Sequence, residues 1–152
     1  MLSIENLTHV YGNGTRALDD VSLSIPKGMF GLLGPNGAGK STLMRSIATL
    51  QSPTSGSIRF GDTDVVKDPE QLRRVLGYLP QDFGVYPRVS AYDMLDHMAV
   101  LKGISNGKDR KATVEALLHQ VNLWPVRGKA LAGFSGGTRQ RFGIAQALIG
   151  NP

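Results

Sequence analysis

No cysteine occurs among the 152 residues, which excludes a disulfide framework, a thiolate metal site and a cysteine nucleophile. Aromatic residues are scarce, at 7% with one tryptophan. None forms a ladder beside the densest basic stretch, Lys108-Asp109-Arg110-Lys111, so that stretch reads as a solvated helix face and no direct contact with nucleic acid is expected. No run approaches the ~18 apolar residues of a membrane span. The N-terminus also lacks the charged region and apolar core of a secretory signal. His9, His97 and His119 have no metal-ligand spacing. Acids are outnumbered, 12 against 17 Lys and Arg for a formal charge of +5, and no Asp-Glu pair occurs anywhere. Together these absences predict a soluble, cytosolic domain.

What is present is globular: 41% apolar and 19% charged residues, in a length suited to one domain. Glycine is in excess, 19 of 152 against a usual ~7%, and has no three-residue period, which points to loops. Residues 2–7, Val21–Ile25 and Ser57–Phe60 alternate apolar with polar and read as an antiparallel sheet with one wet face. Met29-Phe-Gly-Leu-Leu33 and Val75-Leu-Gly-Tyr-Leu79 are almost continuously apolar, the pattern of parallel strands buried on both faces. Between them, residues 40–50 have Leu43, Ile47 and Leu50 at helical spacing. Ser90 and Asp93 resemble a capping box ahead of Ala91, Met94, Leu95, Met98 and Leu101. Val114, Leu117, Leu118 and Val121 mark another amphipathic helix, and a last one starts near Gly137. Trp124 reads as packing at a helix end, and Met94 and Met98 as part of a core stripe.

Gly34-Pro-Asn-Gly-Ala-Gly-Lys-Ser41 matches G-x-x-x-x-G-K-[ST] in full, after an apolar run and before a helix. Gly34, Gly37 and Gly39 allow backbone conformations in which successive N–H groups surround phosphate oxygens. The helix N-terminus adds partial positive charge. Lys40 is then placed to reach the β- and γ-phosphates of a nucleotide and Ser41 to ligate Mg²⁺. A second motif, Phe134-Ser-Gly-Gly-Thr-Arg-Gln-Arg141, puts a hydroxyl and two glycines at the start of a helix, a second anion site.

This second motif closely resembles the signature of ABC-type ATPases, most often Leu-Ser-Gly-Gly-Gln. Ser135, Gly136 and Gly137 match it, whereas Phe134 and Thr138 depart from its first and fifth positions. The resemblance extends over residues 2–152 and implies an α/β P-loop NTPase of the ABC type. Its expected parts are an antiparallel β subdomain (1–28 and 55–66), a P-loop core (29–54 and 67–81), a helical subdomain (82–134) and a signature helix (135–152). It further implies that Tyr11 stacks on adenine, and that Asn36, Gly37, Ala38, Gly39, Lys40, Ser41 and Thr42 hold ATP. Gln81 approaches Mg²⁺ and the attacking water, so the catalytic residues are Lys40 and Gln81 and the metal contacts Ser41 and Gln81. Ser135, Gly136 and Gly137 close on the γ-phosphate held by the opposite subunit of a homo- or heterodimer.

The implied role is the ATP-binding subunit of a transporter, on the inner face of the cell membrane against a transmembrane permease. The run Pro80-Gln-Asp-Phe-Gly-Val-Tyr-Pro87 resembles ATPases of multidrug, antibiotic or ABC-2-type exporters. In the family the next element is the Walker B strand, with an Asp for Mg²⁺ and a Glu that polarises water, and then the switch histidine. None of these is found in 1–152, so an incomplete domain with very slow hydrolysis is expected. Two other readings stay open at this point: a soluble ABC ATPase acting on ribosomes or nucleic acid, and a nucleotide-binding fragment without turnover.

Overall fold

A computed structural model describes the chain apart from Asp82, Phe83 and Val85. The alternating segments of the first half pair into a four-stranded antiparallel sheet of β1 (Leu2–Val10), β2 (Arg16–Ile25), β3 (Ser55–Phe60) and β4 (Thr63–Asp64), in the order β2-β1-β3-β4. Ile4 faces Leu23 on one side and Ile58 on the other, and Ile4, Leu7, Leu18 and Ile58 are buried. Strict alternation would send Leu7 to the face opposite Ile4, because the side-chain period is two. An irregularity in the β1–β2 register between these residues corrects this. Asn6 takes φ 49° there; its N–H donates to Ser22 Oγ at 2.9 Å and its Nδ2 to Asp20 Oδ1 at 2.8 Å.

Two helices accompany this sheet, α1 (Lys40–Ile47) and α2 (Pro69–Val75). Leu43 and Ala48 are buried on the α1 side, and Gln51 Nε2 donates to Thr42 O at 3.1 Å and to Ser46 Oγ at 3.2 Å. Ahead of α2, the Asp64 carboxylate accepts the N–H groups of Val66 and Lys67, both at 3.1 Å. The Lys67 N–H is the main reason its pKa lies below the usual carboxylate value.

The second half is helical: α3 (Ala91–Leu101), α4 (Gly107–Gln120) and α5 (Gly136–Leu148). Ser90 caps α3 as its pairing with Asp93 suggested, with Ser90 Oγ accepting Asp93 N–H at 3.1 Å and donating to Asp93 Oδ2 at 2.6 Å. Asn106 caps α4 by accepting from the N–H groups of Lys108 and Asp109. The apolar stripes meet in one core, in which Leu95, Leu118, Leu123, Leu131, Phe142 and Ile149 are almost wholly enclosed. Arg110 Nε binds Asp96 Oδ1 at 2.7 Å and joins α4 to α3. Trp124 packs as expected, stacked on His119 at 4.5 Å with Arg127 4.0 Å over its ring.

Contacts divide the chain into two compact units, Met1–Arg73 and Arg74–Pro152. One expectation is overturned: neither 29–33 nor 75–79 is a strand. Met29 and Leu33 are fully exposed, Phe30 is half exposed, and Val75 is the last residue of α2. A strand exists only where a neighbour supplies backbone partners. Among the described residues no strand offers them to either segment. Apolar composition foretold a preference for burial, not what does the burying. Sequence periodicity also passed over α2, whose seven residues carry one buried side chain, Leu72.

Candidate nucleotide-binding site

The glycines of residues 34–41 fold as their spacing requires. Gly37 and Gly39 have φ of 84° and 83°, in the left-handed region that favours glycine. Gly39 is the N-cap residue of α1 and makes no side-chain cap bond, and the first turn holds no acid. The first N–H groups of α1 therefore have no side-chain acceptor, which is the donor arrangement a phosphate fits. Space at Gly39 is also restricted, since a Cβ would lie 2.3 Å from the Ala17 carbonyl oxygen. Asn36, Gly37, Ala38 and Ser41 are exposed around this N-terminus. Lys40 turns back across the loop, its Nζ donating to Gly34 O at 2.5 Å and Pro35 O at 2.6 Å. Its ammonium is thus held at the loop that the N–H groups line, by two bonds that a phosphate oxygen can replace.

Thr42 differs from its neighbours. It is buried, and its Oγ1 pairs with Tyr11 Oη at 2.9 Å. Its hydroxyl is shared with Tyr11, and its N–H lies in the first turn of α1. Tyr11 follows β1, is 38% exposed, and meets His9 edge-on at 4.7 Å between ring centres. Sequence reading set His9 aside and missed the Tyr11–Thr42 bond. A pair separated by 31 positions leaves no local pattern to find.

The other expected site residues lie in the second unit and are described within it. Gln81 is exposed in a bend. The run 80–87 contains Asp82, Phe83 and Val85, which lie outside the described residues, so its exporter-like character has no structural counterpart here. Ser135 is the N-cap residue of α5: its Oγ accepts Thr138 N–H at 3.3 Å and pairs with Thr138 Oγ1 at 2.8 Å. Gly136 and Gly137 are exposed, with open space where a side chain would stand. The cap gives a direct prediction. Ser135→Ala should destabilise the helical unit by about 1 kcal/mol, and Ser135→Gly by a few tenths, as measured by denaturant unfolding.

Both oxygens expected at Mg²⁺, the Ser41 hydroxyl and the Gln81 amide carbonyl, are hard donors suited to that ion. Among the described residues no cluster of three His, Asp or Glu side chains could hold a metal. A phosphate-bound ion held through Ser41 fits this donor set, and an all-protein cage does not.

The family model described as ABC transporter matches residues 18–152. Among curated proteins, the chain is 42% identical over 122 residues to the probable multidrug ABC transporter ATP-binding protein YbhF of Escherichia coli, covering 80% of this chain and 21% of that protein. It is 42% identical over 164 aligned residues to the phosphonates import ATP-binding protein PhnC 1 of Rhodopseudomonas palustris (100% and 59%). Identity to the daunorubicin/doxorubicin resistance ATP-binding protein DrrA of Streptomyces peucetius is 37% over 152 residues (99% and 46%). The chain thus spans less than two thirds of the length of each. Among solved structures, the ATP-binding cassette MJ0796, a dimer bound to ADP and Pi, superimposes with a TM-score of 0.88 at 29% identity, over 100% of this chain and 71% of that one. With its phosphate loop, its signature-like helix start and these matches, the chain belongs to the ABC transporter family.

Proposed function

We propose that this chain is the ATP-binding part of an ABC transporter. The observation that carries the reading is the geometry of residues 34–41, where an uncapped helix N-terminus and the Lys40 ammonium converge on one loop. The N–H groups of Gly37 through Thr42 hold the phosphates, Lys40 binds the β- and γ-phosphate oxygens, and Tyr11 stacks on the base. Mg²⁺, when bound with the nucleotide, neutralises charge on those oxygens. Ser41 supplies it a hydroxyl, and Gln81 an amide oxygen on the side of the attacking water.

Two copies bind head to tail, or one copy pairs with a related domain, so that Ser135, Gly136 and Gly137 of each approach the γ-phosphate of the other. The open glycine positions support this role, since the Ser135 cap takes the Thr138 N–H and leaves those of Gly136 and Gly137 at the start of α5. Closure of the pair is passed to a transmembrane permease at the inner face of the cell membrane, and the protein is peripheral there. No described helix is long and apolar enough to cross a membrane. Export is favoured over import by the resemblance of residues 80–87 and by the multidrug and resistance proteins among the relatives. The ATP-binding part is divided into an antiparallel β subdomain, a P-loop core, a helical subdomain and a signature helix.

Residues 1–152 contain no Asp-Glu pair. Phosphoryl transfer depends on groups that position the nucleophile and neutralise charge about the metal, so this stretch alone binds ATP and turns it over very slowly. Phosphate release by the purified chain should stay near the uncatalysed background; Lys40-dependent turnover at the ~1 s⁻¹ or more of typical enzymes would contradict this. The base contact is tested by Tyr11→Ala, expected to weaken ATP about tenfold while leaving inorganic triphosphate unaffected, since base–aromatic stacking contributes about 1–3 kcal/mol. For the transporter role, the protein expressed in cells should co-purify with a multi-span membrane protein. Co-sedimentation with ribosomes and no membrane partner would refute it.

A further inference from the structure

The bond between Tyr11 and Thr42 joins two parts of the proposed nucleotide site that sequence places far apart. Tyr11 leaves the end of β1, and Thr42 belongs to the first turn of the phosphate-binding helix α1. Their hydroxyls meet at 2.9 Å, and Thr42 is only 6% exposed, so the bond is partly shielded from competing water. A further contact on the Tyr11 ring comes from His9, with 84° between the ring planes. His9 Nδ1 is buried and has no hydrogen-bond partner. An unpaired buried nitrogen is unfavourable, which marks packing against Tyr11, rather than polar bonding, as what this ring contributes. Tyr11 is thereby held at its hydroxyl by the helix and through a perpendicular ring contact by the strand.

We infer that Thr42 and His9 are positioning residues that fix the Tyr11 ring relative to the α1 N-terminus, so that base recognition and phosphate recognition act as one unit. The inference rests on the ATP-binding reading above and adds a dependence which that reading does not require. A nucleotide whose phosphates lie on α1 finds the aromatic face already in place, because ring and helix share a hydrogen bond. A ligand with phosphates and no base gains nothing from this arrangement. The tether should therefore affect ATP and leave triphosphate alone.

The test is a double-mutant cycle on the full 152-residue chain with Tyr11→Phe, Thr42→Val and the double variant, titrated with MgATP and separately with magnesium tripolyphosphate. Each single change should weaken ATP about fivefold, the weight of one neutral hydrogen bond. The double variant should be no worse than either single, and tripolyphosphate affinity should be unchanged throughout. Thr42→Ser keeps the hydroxyl and should restore ATP binding to within about twofold of the parent, the usual spread of such contributions. His9→Phe retains an aromatic ring without the unpaired nitrogen and should keep full ATP affinity, whereas His9→Ala should lose it in part. Unfolding midpoints of all variants, measured without nucleotide, show that each chain is folded. Equal losses for ATP and tripolyphosphate, or additive losses in the double variant, would overturn the inference while leaving the ATP-binding reading intact. A parent chain that binds tripolyphosphate and ATP equally would remove the base contact and the inference together. A parent chain that binds neither would remove the ATP-binding reading itself.

Discussion

Lys40→Ala is expected to weaken ATP binding by about 30- to 150-fold without unfolding the chain. The ammonium donates to two loop carbonyls, Gly34 O and Pro35 O, when no nucleotide is present. With nucleotide bound it exchanges these neutral acceptors for charged phosphate oxygens. Both sets of bonds are charge-assisted by the ammonium, but only the phosphate oxygens add the attraction of an opposite charge, and a hydrogen bond to a charged group contributes about 1.5–3 kcal/mol. Giving up the two carbonyl contacts offsets part of the gain, so the net loss on removing the side chain is about 2–3 kcal/mol, which is the stated range. Stability should change little, because both carbonyl acceptors lie on exposed residues and water replaces the lost donor. Equilibrium titration with a fluorescent ATP analogue, alongside thermal unfolding, separates the two effects. Undiminished affinity in a folded Lys40→Ala chain would show that the ammonium has no part in nucleotide binding.

Gly39→Ala carries the largest expected cost to the fold around the site. Two penalties coincide at this position. At φ 83° any residue with a Cβ loses about 1–2 kcal/mol relative to glycine. That Cβ would also lie 2.3 Å from the Ala17 carbonyl oxygen and 3.0 Å from Leu18 Cδ2. The leucine can turn, but the Ala17 carbonyl belongs to β2 and moves only with the strand. A total loss of about 3 kcal/mol or more in the first unit is expected, together with loss of measurable ATP binding. Gly37→Ala is the matched comparison, since φ is 84° there but nothing lies within 4 Å of the new Cβ. It should cost only the backbone penalty, about 1–2 kcal/mol. Denaturant titration of both variants checks this; equal losses would show that the approach to Ala17 is not what restricts position 39.

The contrast between these glycines also shows how far the sequence could be read. Spacing alone marked Gly34–Ser41 as a candidate phosphate loop, and the left-handed φ at Gly37 and Gly39 follows it, because the backbone needs of such a loop fall on consecutive residues. The Ser90, Asn106 and Ser135 caps are local in the same sense; Ser90 and the helix start near Gly137 were legible, and the structure adds Asn106. What could not be read depends on distant partners. The pressure of Ala17 on Gly39, the Tyr11–Thr42 bond and the irregularity at Asn6 that returns Leu7 to the core all join residues from separate elements. Residues 29–33 and 75–79 failed for the same reason in reverse. Their apolar character was plain, but a strand needs a neighbour, and the described residues supply none.

The loop of residues 34–41 is proposed to bind the phosphates of ATP. The most direct measurement is a calorimetric titration of the 152-residue chain with MgATP, with Lys40→Ala run in parallel. Saturable binding of one nucleotide per chain is expected, reduced at least tenfold in the variant. A parent chain that takes up no ATP, or a variant that binds it as tightly as the parent, would contradict it.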